Sequence, residues 1–279
     1  MRGASAGLPL HVEIRGTAGR PLVLLHGFGA SGFTWRNWLP ELEHRYRVVV
    51  ADLKGHGSAP APRDGAYAPR DHADAVVRLV EAWDLRQLTL VGHSLGGGVA
   101  LLVALELAAR APGRLHSLIL IEPGALPQEL PPFIRLARLP LLGVLLLRLV
   151  PSRTLIRWVL RTVVHDPSTV TTEQVEGYAA PLDSADVRYG VSRTARQILP
   201  EDVERIVERY GEIRVPTLLL WGRDDPVIPL LQGRRLHEIL PCSRLAILDE
   251  CGHVPQDERP RPSLEAVLSF LDELEEESG

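Results

Sequence analysis

Cysteine and lysine are nearly missing from this chain. Cys242 and Cys251 are the only thiols among 279 residues, so a disulfide-stapled scaffold is excluded. They flank a β-prone run, Arg244 to Leu248, whose rise of about 3.3 Å per residue would hold them roughly 15 Å or more apart, beyond bridging reach. Lys54 is the sole lysine and the net charge is −4, which leaves no basic field for phosphates and argues against nucleic acid as a partner. No apolar run reaches the ~20 residues of a bilayer span. Leu139 to Leu147 comes nearest, but it is interrupted by Pro140 and flanked by Arg138 and Arg148. It reads as a helix packed on a core, with one face available to an apolar pocket or a lipid surface. Met1 to Gly16 carries no apolar stretch of the secretory type, which with the free thiols points to the cytoplasm. His11, His44, His72, His116, His165 and His237 are scattered, without His-x-His or His-Glu-x-x-His spacing, so neither a metal site nor a metal cofactor is expected.

Short apolar runs alternate with helical patterns. Strands are expected at Pro21 to Leu25, Tyr46 to Ala51, Leu88 to Val91 and Leu115 to Ile121, separated by helices near Trp35 to Glu43, Ala73 to Trp83 and Leu95 to Arg110. The rhythm resumes with strands at Thr217 to Trp221 and Arg244 to Leu248, a helix near Leu230 to Leu240, and a last helix around Pro262 to Leu274. This is the βαβ order of a parallel sheet. The acidic end, Glu273 and Glu275 to Glu277, reads as a solvated helix terminus. From about Gly124 to Glu208 the pattern is helical, Arg-studded and broken by Pro131, Pro132, Pro140, Pro151 and Pro167. The expected organisation is therefore a core in two parts, residues 1–123 and 209–279, with a helical lid, 124–208, over the carboxyl edge where open α/β sheets keep their ligands.

The most informative feature is Gly92-His93-Ser94-Leu95-Gly96, set between the Leu88 strand and the Gly97 helix. In a G-x-S-x-G elbow the serine sits on a sharp strand-to-helix turn, in a strained backbone conformation that lifts its hydroxyl clear of the sheet. Glycines two residues to either side are needed because side chains there would collide. A serine hydroxyl is a poor nucleophile without a base and a group to orient that base. His253 follows the strand ending at Leu248, and Asp225 follows the strand ending at Trp221; both lie at the edge where the elbow opens.

These residues resemble the α/β-hydrolase superfamily, in its capped bacterial branch of esterases, carbon–carbon bond hydrolases and haloperoxidase-like enzymes. His26-Gly27-Phe28-Gly29 is similar to the family's oxyanion loop, Asp52-Leu53-Lys54-Gly55-His56-Gly57 to the turn after its next strand, and Gly222-Arg223-Asp224-Asp225-Pro226-Val227-Ile228-Pro229 to its acid loop. Gly252-His253, with Glu258 and Pro260, resembles its histidine loop. The resemblance implies an eight-stranded, mostly parallel sheet with helices on both faces and an inserted helical cap. It also implies Ser94 as nucleophile, His253 as general base, Asp225 as orienting acid, and the N–H groups of Phe28 and Leu95 as oxyanion hole. Leu95 opens a helix, so its positive end acts on the same spot.

Asp224 competes with Asp225 for the acid role, and Glu122, which ends the Leu115 strand, is a second rival. His93 and His56 are expected to be structural. Among the aromatics, Phe28, Trp35, Phe133, Trp158 and Tyr178 read as core more than as recognition residues. A serine rather than an aspartate at the elbow disfavours epoxide opening and halide removal. The expected function is cofactor-free hydrolysis of a small or medium apolar ester through an acyl-enzyme. Alternatives are carbon–carbon cleavage of vinylogous diketones, where His253 would first help ketonise the substrate, perhydrolase or lactonase chemistry, and a non-enzymatic ligand receptor on the same fold. Oligomeric state is not encoded in these motifs.

Overall fold

A computed structural model describes residues 7–140 and 142–276. Seven strands, β1 (His11–Arg15), β2 (Pro21–Leu25), β3 (Arg47–Asp52), β4 (Leu88–His93), β5 (Leu115–Ile121), β6 (Thr217–Gly222) and β7 (Ser243–Leu248), form one sheet. Its order is β1-β3-β2-β4-β5-β6-β7, with β1 antiparallel to β3 and every other pair parallel. The eight strands expected from the resemblance are therefore corrected to seven among the described residues. Leu8 and Leu10, just ahead of β1, are buried in the core without joining the ladder. Pro9 between them has no N–H to contribute to one. The antiparallel edge strand β1 is not among the strands expected from the sequence, although Val12 and Ile14 alternate with polar neighbours as an edge strand requires.

The parallel strands are apolar on both faces because helices cover both. Val23, Leu25, Leu90 and Leu120 face one layer, formed chiefly by α2 (Pro69–Ala82) and α3 (Leu95–Arg110). Leu22, Leu24, Val91 and Ile121 face the other, where Trp38 precedes α1 (Leu39–Arg45) and Val267 and Phe270 project from α12 (Pro260–Glu276). The acidic end lies in α12 as far as Glu276; Glu277, like residues 1–6 of the N-terminal stretch and Leu141 of the apolar run, falls outside the described residues.

Between β5 and β6 the chain is helical. It forms α4 (Pro132–Arg138), α5 (Leu142–Leu149), α6 (Ser152–Val163), α7 (Thr172–Ala179), α8 (Ala185–Gln197) and α9 (Val203–Arg209). Ile156, Leu160, Val175, Tyr178 and Val191 from three of these helices, α6, α7 and α8, make a separate apolar cluster, against which Phe28 and Phe33 pack. Ile206 of α9 and the following Tyr210 instead join the main core. After β6 come α10 (Leu230–Ile239) and, beyond β7, the single turn α11 (Pro255–Glu258). No helix of the described residues is long and apolar enough to cross a membrane. Cys242 is exposed and Cys251 buried, and both are free.

Candidate active site

Ser94 follows β4 directly and caps α3 with φ 52° and ψ −116°, a positive-φ conformation costly for any residue with a Cβ. The surroundings impose it. The Ser94 N–H donates to the Ile121 carbonyl at 2.9 Å, and its own carbonyl receives the N–H groups of Gly97, Gly98 and Gly124. A Cβ on Gly92 would stand 2.3 Å from the Gly96 carbonyl oxygen, and one on Gly96 would stand 2.4 Å from that of Leu25 in β2. Only glycine at both positions allows so tight a turn against the neighbouring strand.

The three side chains named from sequence order meet. Ser94 Oγ lies 3.0 Å from His253 Nε2, and His253 Nδ1 lies 2.8 Å from Asp225 Oδ2. A carboxylate can only accept, so Nδ1 carries the proton and Nε2 is left to accept from the serine hydroxyl. The other Asp225 oxygen receives the N–H groups of Val227 and Ile228, at 2.7 and 3.0 Å. Both oxygens of this buried carboxylate are therefore used. Asp224, by contrast, is exposed and pairs with His165 at 3.0 Å. Glu258 fixes the histidine loop by accepting from the N–H groups of Gly252, Val254 and His165, and His253 N–H donates to the Val163 carbonyl at the end of α6.

Glu122 is fully buried at the end of β5. Its Oε1 accepts from Gly222 N–H at 2.7 Å. Its Oε2 has no hydrogen-bond partner and lies 3.4 Å from His253 Nδ1. Burial first, then the charge of Asp225, pushes this carboxyl well above the usual carboxylate range, as expected for an acid that must lose its proton beside another carboxylate. His93 donates from Nε2 to the His253 carbonyl at 2.8 Å; burial and then the neighbouring His253 push it down to about 3, so it is a neutral strut. His93, Glu122 and His253 are close enough to share an ion, a cluster that linear spacing could not reveal. The facing imidazole nitrogens are, however, already committed to the His253 carbonyl and to Asp225.

The loop after β2 supplies what sequence reading missed. His26 Nδ1 donates to the Gly27 carbonyl at 2.8 Å while its Nε2 accepts from Leu53 N–H at 3.0 Å. Burial lowers the pKa of His26, in keeping with this neutral tautomer. In a trans peptide the C=O and the following N–H point in opposite directions. Fixing the Gly27 carbonyl therefore fixes the Phe28 N–H. That donor and the Leu95 N–H at the start of α3 have no partner among the described residues. The signal for His26 was present only as part of the His26-Gly27-Phe28-Gly29 motif. His56 Nδ1 donates to the Lys54 carbonyl at 3.0 Å, and His56 takes no part at Ser94.

Two cavities flank Ser94 and share Phe28, Ile134 and Val227 in their walls. One, of about 790 Å³ with its mouth, runs between Leu102, Leu126, Ile206 and Tyr210. The other, of about 630 Å³, is bounded by His253, Phe133, Ile156, Leu160 and Tyr178. Of the aromatics expected in the core, Trp35 is there and Trp158 is exposed, whereas Phe28, Phe133 and Tyr178 line the cavities. No Asp, Glu, Lys or Arg among the described residues lines either one.

The alpha/beta hydrolase fold family matches residues 20–260. An uncharacterized hydrolase of Bacillus subtilis is 30% identical over 95% of this chain and 95% of its own. A 2-hydroxy-6-oxononadienedioate/2-hydroxy-6-oxononatrienedioate hydrolase of Comamonas testosteroni is 30% identical over 91% of this chain and 88% of its own. Among solved structures, a 2-hydroxy-6-oxo-6-phenylhexa-2,4-dienoate hydrolase from a Rhodococcus species superimposes with a TM-score of 0.81, at 25% identity and 97% coverage of both chains. The strand order, the strained Ser94 turn and these matches over nearly the whole length make the chain a member of the alpha/beta hydrolase fold family.

Proposed function

We propose that the protein is a serine hydrolase of small or medium apolar carboxylic esters, working through an acyl-enzyme on Ser94. His253 takes the Ser94 proton as the hydroxyl attacks the ester carbonyl, and returns it to the departing alcohol. Asp225 holds the imidazole in the required tautomer. The N–H groups of Phe28 and Leu95 receive the developing oxyanion, helped by the positive end of α3. Water activated by the same imidazole then releases the acid. The segment 124–208 acts as a cap that roofs both cavities.

The observation that carries this reading is the pair of uncharged cavities on either side of Ser94. A scissile ester placed at Ser94 would send its acyl part into one and its alcohol part into the other. Neither offers an ionic partner, and burying an unpaired charge is strongly unfavourable.

Carbon–carbon hydrolysis of vinylogous diketones is the second reading, favoured by the substrates named for the relatives. Those substrates are carboxylates. Here a carboxylate would find no Lys or Arg among the described residues that line the cavities. The discriminating experiment compares kcat/KM for p-nitrophenyl butyrate and for 2-hydroxy-6-oxo-6-phenylhexa-2,4-dienoate. The ester reading expects the ester to be preferred by about a hundredfold or more, on the scale set by an unpaired buried charge. The reverse order would establish the second reading.

A further inference from the structure

The stretch from Pro131 to His165 holds six arginines, at positions 135, 138, 148, 153, 157 and 161, and not one Asp or Glu, in a chain whose net charge is −4. Of the six, only Arg153 is ion-paired among the described residues, to Glu176 and Asp183. Four of the chain's exposed large apolar side chains lie in the same stretch: Leu139, Leu145, Leu149 and Trp158, between 43% and 70% exposed. Arginine thus alternates with exposed leucine and tryptophan where a solvated surface would interleave both signs of charge.

Helix α6 makes the pattern sharpest. Its inward face, Ile156, Val159, Leu160 and Val163, lines the cavity beside Ser94. Its outward face carries Arg153, Arg157, Trp158 and Arg161. Like charges four residues apart weaken a helix, and neither Arg157 nor Arg161 forms an ion pair among the described residues to relieve this. The row is therefore not explained by the stability of α6. Amphipathic helices with arginine and bulky apolar side chains together on the outer face suit the interface of an anionic lipid bilayer, where the guanidinium groups meet phosphates and tryptophan and leucine enter the headgroup boundary. A second copy of this chain fits less well, because a two-fold contact would set the arginine row against itself.

We propose that the outer face of α6, with the exposed arginine and leucine side chains of the preceding α4–α5 segment, docks the protein on anionic phospholipid membranes, with the inward faces of α4 and α6 lining the cavities at Ser94. This concerns the outer surface and stands whether the buried site cleaves esters or carbon–carbon bonds. The test is flotation of the full chain with vesicles of phosphatidylcholine alone and of phosphatidylcholine containing about 30 mol% phosphatidylglycerol, at low and high salt. Binding should require the anionic lipid and weaken at least tenfold at high salt or in the Arg157→Glu/Arg161→Glu variant. Trp158→Ala should weaken it further, and Trp158 emission should shift to the blue on binding. The double variant should melt as the parent does and hydrolyse a soluble ester at the parent rate. Equal binding to both vesicle types, or none, would overturn the proposal. So would unchanged binding after charge reversal, or a lipid-free dimer that charge reversal dissociates.

Discussion

Oε2 of Glu122 stands 3.4 Å from Nδ1 of His253, against 2.8 Å for the Asp225 oxygen that receives its proton, and has no other partner. Two carboxyl groups thus address one imidazole nitrogen from the ends of neighbouring strands β5 and β6. While Asp225 is charged, Glu122 holds its proton. If the aspartate loses its charge, the repulsion that adds to burial in raising Glu122 goes with it, and Glu122 stands near enough to accept from His253 Nδ1 in its place.

Asp225→Asn should therefore fall short of the about 10⁴-fold loss of kcat that follows loss of a triad acid. Adding Glu122→Gln should lower kcat at least tenfold more, while Glu122→Gln alone should have a small effect. Steady-state ester hydrolysis by the three variants checks this. Equal rates for Asp225→Asn and the double variant would leave Glu122 no orienting role.

Much of this arrangement is legible in the chain itself, and the reason is local. The elbow is written in five consecutive residues, and the glycines at 92 and 96 are required by carbonyl oxygens within 2.4 Å of where a Cβ would be. The strands Pro21–Leu25 and Leu115–Ile121 fall where their apolar runs lie. What the sequence does not reveal is set by contacts distant along the chain. Glu122 acquires its proximity to His253 only when β5 and β6 pair. Asp225, already favoured over Asp224 by the resemblance, is also the buried one of the two, whereas Asp224 is exposed. The cavities are assembled from the β2 loop, α3, the β5–β6 helices and the loop after β6, and no linear pattern carries that shape.

The strain at Ser94 yields a prediction about stability. Releasing a non-glycine residue from an unfavourable backbone region is worth about 1–3 kcal/mol, offset by about 1 kcal/mol for the added chain entropy of glycine. Ser94→Gly should unfold at the parent midpoint or somewhat above it while losing esterase activity. A clear destabilisation, read by urea denaturation, would show that Ser94 is not strained.

His26 acts at one remove, by holding the peptide that carries the Phe28 N–H. Losing one oxyanion donor costs about 10²–10³ in kcat. His26→Asn should lower kcat by an appreciable part of that factor with KM little changed, because the donor is misaligned rather than removed. A rise in KM alone would place His26 in substrate binding.

Buried neutral histidines set the acid limit of stability. His72 and His93 are held down to about 3 by burial, and His56 well below its ordinary value. As pH falls below about 6.5, the unfolded chain takes up protons at these sites and the native state does not, so stability falls. At pH 5.5 His72 and His93 each cost about 1.3 kcal/mol relative to neutral pH, and His56 acts in the same direction. Glu122 has the opposite sign: burial and the Asp225 charge favour its protonated form in the native state, which offsets part of that loss. Urea unfolding at pH 7 and 5.5 should show a net loss of stability at the lower pH. Stability that rises on acidification would contradict the neutral assignment of these imidazoles.

The central claim is that Ser94 is a nucleophile activated by His253 across 3.0 Å. Treatment with a fluorophosphonate followed by peptide mass mapping addresses it most directly. The account predicts one adduct, on Ser94, forming at a rate reduced by orders of magnitude in His253→Ala and absent in Ser94→Ala. An adduct on another residue, or labelling of Ser94 that is indifferent to His253, would contradict it.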